Sequence, residues 1–293
     1  MTPRNDNYVM VGGMGGSGTR VVSVLLQDLG FYIGPALNDA LDCLLFTLLF
    51  KRPDWFVTLP PDADIIRAAK VFIQAMRHGP GHQTGAIRKL VHTLQASGHK
   101  INRTKTPIRK MLATPAPDLD TARGIAWKEP NTHVFLPQLA QHFPRLRYVH
   151  VIRNGLDMAL SRNRHQLRNW GPQFGVIKSR DIPVERTQLE LWDVINSRAI
   201  AYGRDHMQGR FLLLNYDRLC SDFEAEAARF LTFLGCEDAL ARLPDLATRL
   251  APRSRGRDRP AAAGSAHPSQ WREQNRRPRV KAPALTRPGR GRL

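Results

Sequence analysis

Two short stretches carry residues whose types and spacing suit phosphate chemistry. The first is Gly12-Gly13-Met14-Gly15-Gly16-Ser17-Gly18-Thr19-Arg20, which follows the apolar run Tyr8 to Val11 and precedes Val21 to Leu26. It reads as strand, glycine turn, helix, so the backbone N–H groups of Gly15, Gly16, Ser17, Gly18 and Thr19 converge with a helix N-terminus on one small volume. That arrangement favours a cluster of anionic oxygens. The second is Arg147-Tyr148-Val149-His150-Val151-Ile152-Arg153, followed eight residues later by Ser161. Arg153 closes an apolar strand and Ser161 is placed two turns into the next helix, where an arginine fork and a hydroxyl can hold a second phosphate.

The elements that must position these residues follow from periodicity. Strands are expected at Tyr8–Gly12, Phe31–Ile33, Ile125–Lys128, Tyr148–Arg153 and Phe211–Asn215. Helical patterns cover Arg20–Leu29, Asp39–Phe50, Asp64–Arg77, Ala86–Ala96, His133–His142, Leu156–Arg164, Glu185–His206 and Asp222–Leu234. Gly30 and Gly235 stand where helix C-termini favour a left-handed residue. Alternating strands and helices imply an α/β fold with a short central parallel sheet and ligands at its C-terminal edge, where both phosphate candidates fall. Residues 35–124, after the second expected strand, carry helices broken at Pro60-Pro61 and Pro115-Ala116-Pro117, a helical insertion suited to an acceptor pocket or lid.

Composition bounds this reading. The 293 residues, 42% hydrophobic, suit one large domain of residues 1–258 followed by a tail of residues 259–293. The net charge of +19 is unevenly spread, with twelve Lys and Arg against two acidic residues in 251–293. That Arg/Pro-rich tail has almost no apolar periodicity and is expected to be disordered, either a plain solvated extension or a weak contact for a polyanion. The N-terminus shows no apolar signal segment, and the stretch Leu41 to Phe50 is far shorter than the roughly 20 residues of a membrane span. Cys43, Cys220 and Cys236 are odd in number and widely spaced. These features point to a cytoplasmic protein with no membrane span and no metal site.

Three nucleotide chemistries compete for the glycine loop. Gly13-x-Gly15-x-x-Gly18 satisfies a dinucleotide fingerprint, but the strand near Phe31–Ile33 leads into Gly34-Pro35 rather than the acidic residue that would bind a ribose. Gly13-x-x-x-x-Gly18 also matches half of a Walker A loop, yet Thr19 and Arg20 occupy the places of its Lys and Ser/Thr, which weakens a magnesium-dependent, ATP-using small-molecule kinase. The third chemistry is sulfuryl transfer from 3′-phosphoadenosine-5′-phosphosulfate, a donor with two separate anionic groups. A nucleotide-binding protein without turnover, using its tail on a polyanion, is a further alternative.

On these residues the chain resembles the P-loop-like sulfotransferases of the broad bacterial branch. Ser17-Gly18-Thr19 is similar to the core of that family's 5′-phosphosulfate loop, and Arg153 with Ser161 is similar to its 3′-phosphate site. Leu214-Asn215-Tyr216-Asp217-Arg218-Leu219, with Phe233-Leu234-Gly235 after an acidic helix, resembles the family's Tyr-Glu-Asp-Leu segment and closing Phe-Leu-Gly. Lys128-Glu129-Pro130 resembles its Lys-x-Pro segment beside the transferred group. The resemblance runs from Tyr8 to Gly235, the insertion apart. It implies a three-layer αβα, P-loop-like fold, a PAPS donor with no metal, a small-molecule or carbohydrate acceptor, and Tyr216 near the adenine. Gly256 and Arg257 fall in a segment similar to the family's late glycine-arginine loop over the nucleotide.

One departure bears on mechanism. Most members place a lysine or arginine directly before Ser-Gly-Thr, where this chain has Gly16. Lys128 is expected to supply the charge at the bridging oxygen instead, with Arg20 on the phosphate. The base that takes the acceptor's proton is left among Glu129, His133 and Asp39. Each has a plainer reading: Glu129 as a solvated charge or cap, His133 as a helix-start residue, Asp39 as the N-cap of the Asp39–Phe50 helix.

Overall fold

The strand β1 (Tyr8–Gly13) is buried along its whole length, which fits its near-continuous apolar sequence and marks it as an interior strand. In the computed structural model, which describes residues 7–96 and 110–250, it pairs in parallel with β2 (Ile125–Lys128) on one side and β3 (Arg147–Ile152) on the other. The strand β4 (Phe211–Asn215) adds to β3, giving the all-parallel order β2-β1-β3-β4. All described residues fall within one unit spanning Met1–Pro252; the basic tail lies outside the described residues.

The chain order of helices is α1 (Thr19–Asp28), α2 (Leu44–Phe50), α3 (Asp54–Val57), α4 (Asp62–His78), α5 (Thr84–Ala96), α6 (Leu136–His142), α7 (Gly155–Ala159), α8 (His165–Trp170), α9 (Val184–His206), α10 (Tyr216–Ser221), α11 (Phe223–Leu234) and α12 (Leu243–Leu250). Side-chain alternation along the strands sorts them into two layers. Tyr8, Met10, Trp127 and Tyr148 point into a core shared with α2, α4 and α6. Val9, Val11, Val149 and Leu214 point the other way, against Val22, Leu25 and Leu26 of α1 and Phe230 and Leu231 of α11. The result is a three-layer αβα architecture. Among the described residues no helix is long and apolar enough to cross a membrane.

The strand expected at Phe31–Ile33 is reduced to a single parallel bridge, Tyr32 to Ile125. Gly30 (φ 84°) and Gly34 (φ 120°) turn the chain on either side and leave too few extended residues for a ladder. The insertion therefore follows α1 directly. The helix expected from Asp39 begins only at Leu44, after Cys43 at its N-cap. The Asn38 side chain accepts from the N–H groups of Ala40 and Asp42, both at 2.9 Å, and winds 38–42 into a loop instead. Two further helices are shorter than expected. Residues Pro130–Phe135 form a 3-10 turn before α6, and α7 stops at Ala159 rather than running to Arg164.

Candidate active site

Parallel strands bring their C-terminal ends to one edge. The strand order reverses between β1 and β3, and a crevice for ligand opens at such a reversal. The glycine loop leaves from β1 and the Arg153 turn leaves from β3, so the two expected phosphate sites flank that crevice.

The loop is built by its backbone. Ser17 N–H donates to the carbonyl of Met14 at 2.9 Å and closes the turn. Gly18 holds φ at 97° as the N-cap of α1 and contributes no side-chain cap, nor does α1 carry an acidic residue in its first turn. The contrast with its neighbours is informative. The 3-10 turn after β2, α7 after β3 and α10 after β4 each have their first N–H groups taken by their own side chains, Glu129, Asn154 and Asn215. At the end of β1 the N–H groups are left without such a cap, which suits an incoming anion. Ser17 is 1% exposed, and its Oγ has no partner among the described residues.

Arg153 reaches back across the crevice. Its Nη1 donates to the carbonyl of Gly16 at 3.4 Å, and Nη2 lies 3.6 Å from the Asp157 carboxylate. The guanidinium sits 5.2 Å from the centre of the Tyr216 ring, a cation–π distance, while its buried Nε has no partner. The turn is fixed from behind: Trp192 Nε1 donates to the Arg153 carbonyl at 3.1 Å, and Asn154 N–H donates to Asp217 at 2.6 Å. Ser161 is not two turns into a helix but just beyond the end of α7, where its Oγ accepts from Asn163 N–H at 3.2 Å. Ser161 and Asn163 both bond to nearby backbone, and that competition ends the helix early.

Lys128 is 3% exposed at the end of β2. Its ammonium donates to the Ala40 carbonyl and pairs with Asp42, and burial pushes its pKa down while Asp42 pulls it up. Arg20, exposed on the first turn of α1, is close enough for its charge to lower the lysine further. The Asp42 side chain is 18% exposed, and its second oxygen accepts from Asn38 Nδ2 at 2.9 Å. Asp39, by contrast, is exposed and caps no helix.

Glu129 is placed as the cap of the 3-10 turn. Its two oxygens accept from the backbone and the side chain of Asn131, both at 2.7 Å, with Lys51 at 3.9 Å. Burial pushes its carboxyl up, partly offset by Lys51. Asn131 in turn accepts from Gln166 Nε2 at 2.7 Å, and Gln166 lies against Gly15 of the glycine loop. His133 is 4% exposed inside the 3-10 turn, and burial, reinforced by His150, lowers its pKa to about 3. Neutral and enclosed, it is a weak proton acceptor.

Asp42, Asn131 and Gln166 belong to this site although no sequence signal marked them. Gly256 and Arg257 lie outside the described residues. Among the described residues no cluster of His, Cys, Asp and Glu could hold a metal ion.

Comparison with known proteins gives the following. The model of the Sulfotransferase family matches residues 9–239. Among curated proteins no sequence matches. The chain is similar to the sulfotransferase STF9 from Mycobacterium avium, with 16% identity and a TM-score of 0.41 over 86% of this chain and 70% of that one. It is similar to the sulfotransferase domain of the Synechococcus PCC 7002 olefin synthase, at 17% identity and a TM-score of 0.41 over 87% and 89%. A retinol dehydratase solved with androsterone and the inactive cofactor PAP gives 14% identity and a TM-score of 0.37 over 84% and 64%. No residue's role is carried over at such distances.

Proposed function

The chain belongs to the sulfotransferase family, and on that premise we propose that it transfers a sulfuryl group from 3′-phosphoadenosine-5′-phosphosulfate to a hydroxyl or amine of a small-molecule or carbohydrate acceptor. The observation that carries this reading is the pairing of two anion-binding arrangements across one crevice. One is the uncapped start of α1 with the unpartnered Ser17 hydroxyl; the other is the Arg153 fork with its unpartnered Nε. When bound, the donor supplies the sulfuryl group and departs as adenosine 3′,5′-bisphosphate.

The chain's own groups then have distinct tasks. The N–H groups from Gly15 to Thr19 and the Ser17 hydroxyl hold the 5′-phosphate oxygens. Arg153 and Ser161 are assigned to the 3′-phosphate, and Tyr216 to the nucleoside. An ammonium has three donors, and Lys128 commits two of them to Ala40 and Asp42. Its third, with Arg20, is free to neutralise charge on the departing phosphate oxygen, the task that Gly16 leaves open. Glu129 is 1% exposed and His133 is a weak acceptor, whereas the Asp42 carboxylate is 18% exposed beside Lys128, so Asp42 takes the acceptor's proton.

Calorimetric titration with adenosine 3′,5′-bisphosphate, beside ATP with magnesium, tests this. Tight binding of the bisphosphate alone, weakened about a hundredfold in Arg153→Ala, is the expected result. Preference for ATP with magnesium, or no binding of either, would overturn it.

A further inference from the structure

The four exposed large hydrophobic residues among those described all fall in one span of the chain: Leu156 (52% exposed), Leu160 (69%), Ile177 (72%) and Ile182 (37%). Packing brings the segments that carry them together. Met158, between the two leucines, packs with Val176, the neighbour of Ile177, in a small cluster that includes Leu191 of α9. Gln188 Nε2 donates to the carbonyls of Ala159 and Ser161, which bracket Leu160. Gln188 also lies little more than one helical turn beyond Pro183, the residue after Ile182. Arg164 pairs with Glu185 at 3.5 Å and ties the two segments again.

Cations are interleaved with these aliphatic side chains. Residues 155–186 contain six arginines and lysines against three carboxylates. Arg162 follows Leu160 by two residues, Lys178 follows Ile177 directly, and Arg180 precedes Ile182 by two, all three exposed. We propose that this face docks on an anionic lipid bilayer. Its leucines and isoleucines would enter the boundary between headgroups and acyl chains, and its arginines and lysines would meet lipid phosphates.

Charge and residue type favour this occupant over others. A second copy seated by two-fold symmetry would set one cationic face against its like, which is repulsive. A protein interface centres on contiguous aromatic surface depleted of charge, whereas these aliphatics stand singly among cations. A nucleic acid would meet the cations, but none of the four exposed groups is an aromatic ring on which a base could stack.

The test is co-sedimentation of the full-length protein with phosphatidylcholine vesicles, with and without phosphatidylglycerol at about one third of the lipid. It needs no turnover, so its outcome is independent of the proposed sulfuryl transfer. The wild type is expected to pellet with anionic vesicles alone, and Leu160→Ser/Ile177→Ser to lower the partition coefficient about tenfold. Arg162→Gln/Lys178→Gln/Arg180→Gln is expected to lower it comparably. In case the serine variant folds poorly, Ile177→Trp gives a second reading: bromine-labelled acyl chains should quench its emission beyond the wild-type level. The proposal fails if the wild type does not pellet, or if the serine variant is folded and pellets equally, which would place binding elsewhere. It also fails if the added tryptophan is not quenched, or if self-association that disappears in the serine variant shows a second copy on this face.

Discussion

Tyr216 packs its ring against Gly18 so closely that a β-carbon at Gly18 would overlap it. The contact joins the end of β4 to the start of α1, and it needs glycine twice over, because Gly18 also holds φ at 97°. Gly18→Ala is therefore expected to destabilise the fold by at least about 1–2 kcal/mol from the left-handed backbone alone. Bisphosphate affinity should fall more than tenfold as the loop and ring part. Thermal melting and calorimetry of this one variant check both. Unchanged binding would mean that the seating of Tyr216 on the loop is irrelevant to the nucleotide.

Gly16 answers a different question. A β-carbon there would meet only Met158, its methyl at 3.6 Å and its sulfur at 3.8 Å, so there is room for a side chain, but φ is 100°. The family's usual cation is thus kept out by backbone conformation rather than by crowding. Gly16→Lys is expected to cost about 1–2 kcal/mol and, with Lys128 and Arg20 supplying the charge as proposed, to leave kcat no higher than in the wild type. A gain of tenfold or more in kcat would show that charge to be missing.

What could be read from the sequence divides along physical lines. The glycine loop, the Arg153 turn and the four paired strands are signalled by contiguous residues, because each depends on local backbone and local burial. The Phe31–Ile33 segment misled because its apolar residues are real but its flanking glycines shorten it to one bridge. Of Asp39 and Asp42 the sequence singles out only the first, as a cap. Only the winding of 38–42 on Asn38 brings the second to Lys128, 86 residues away. The Glu129, Asn131 and Gln166 network likewise bridges 35 residues between Asn131 and Gln166, with no periodic or motif signal.

The Lys128–Asp42 pair yields a prediction from unequal burial. The lysine side chain is 3% exposed and the aspartate 18%. Asp42→Asn leaves a buried ammonium without its counter-charge, whereas Lys128→Met leaves a carboxylate that water can reach. The first is expected to cost about 3 kcal/mol in urea unfolding and the second distinctly less. In steady-state assays with a screened acceptor, each is expected to lower kcat about a hundredfold with bisphosphate affinity kept within a few fold. Equal kcat in Asp42→Asn and wild type would remove Asp42 as the base.

Two buried imidazoles set the pH dependence of stability. The amide nitrogen of Asn196 donates to the Trp192 carbonyl at 2.6 Å, which directs its oxygen at His150 Nε2, 2.9 Å away. His150 must therefore carry its proton on Nε2 and accept from the Tyr148 hydroxyl on Nδ1, at 2.9 Å. Burial disfavours a second proton on this ring and lowers its pKa to about 4. His133 is lowered to about 3 by burial and by His150. Both lie below the unfolded value of about 6.5, so on acidification the unfolded chain takes up two protons that the folded chain refuses. Their stabilising contribution is complete above pH 6.5 and is lost progressively as the pH falls towards 4. Glu129, whose carboxyl is raised by burial, is protonated earlier in the folded chain and opposes them by at most one proton. Urea unfolding between pH 7 and 4.5 should therefore lose about 1.4 to 2.7 kcal/mol per pH unit below pH 6. A flat profile would mean that the two imidazoles are not held neutral, and His150→Gln, which removes one of them, should flatten the wild-type slope.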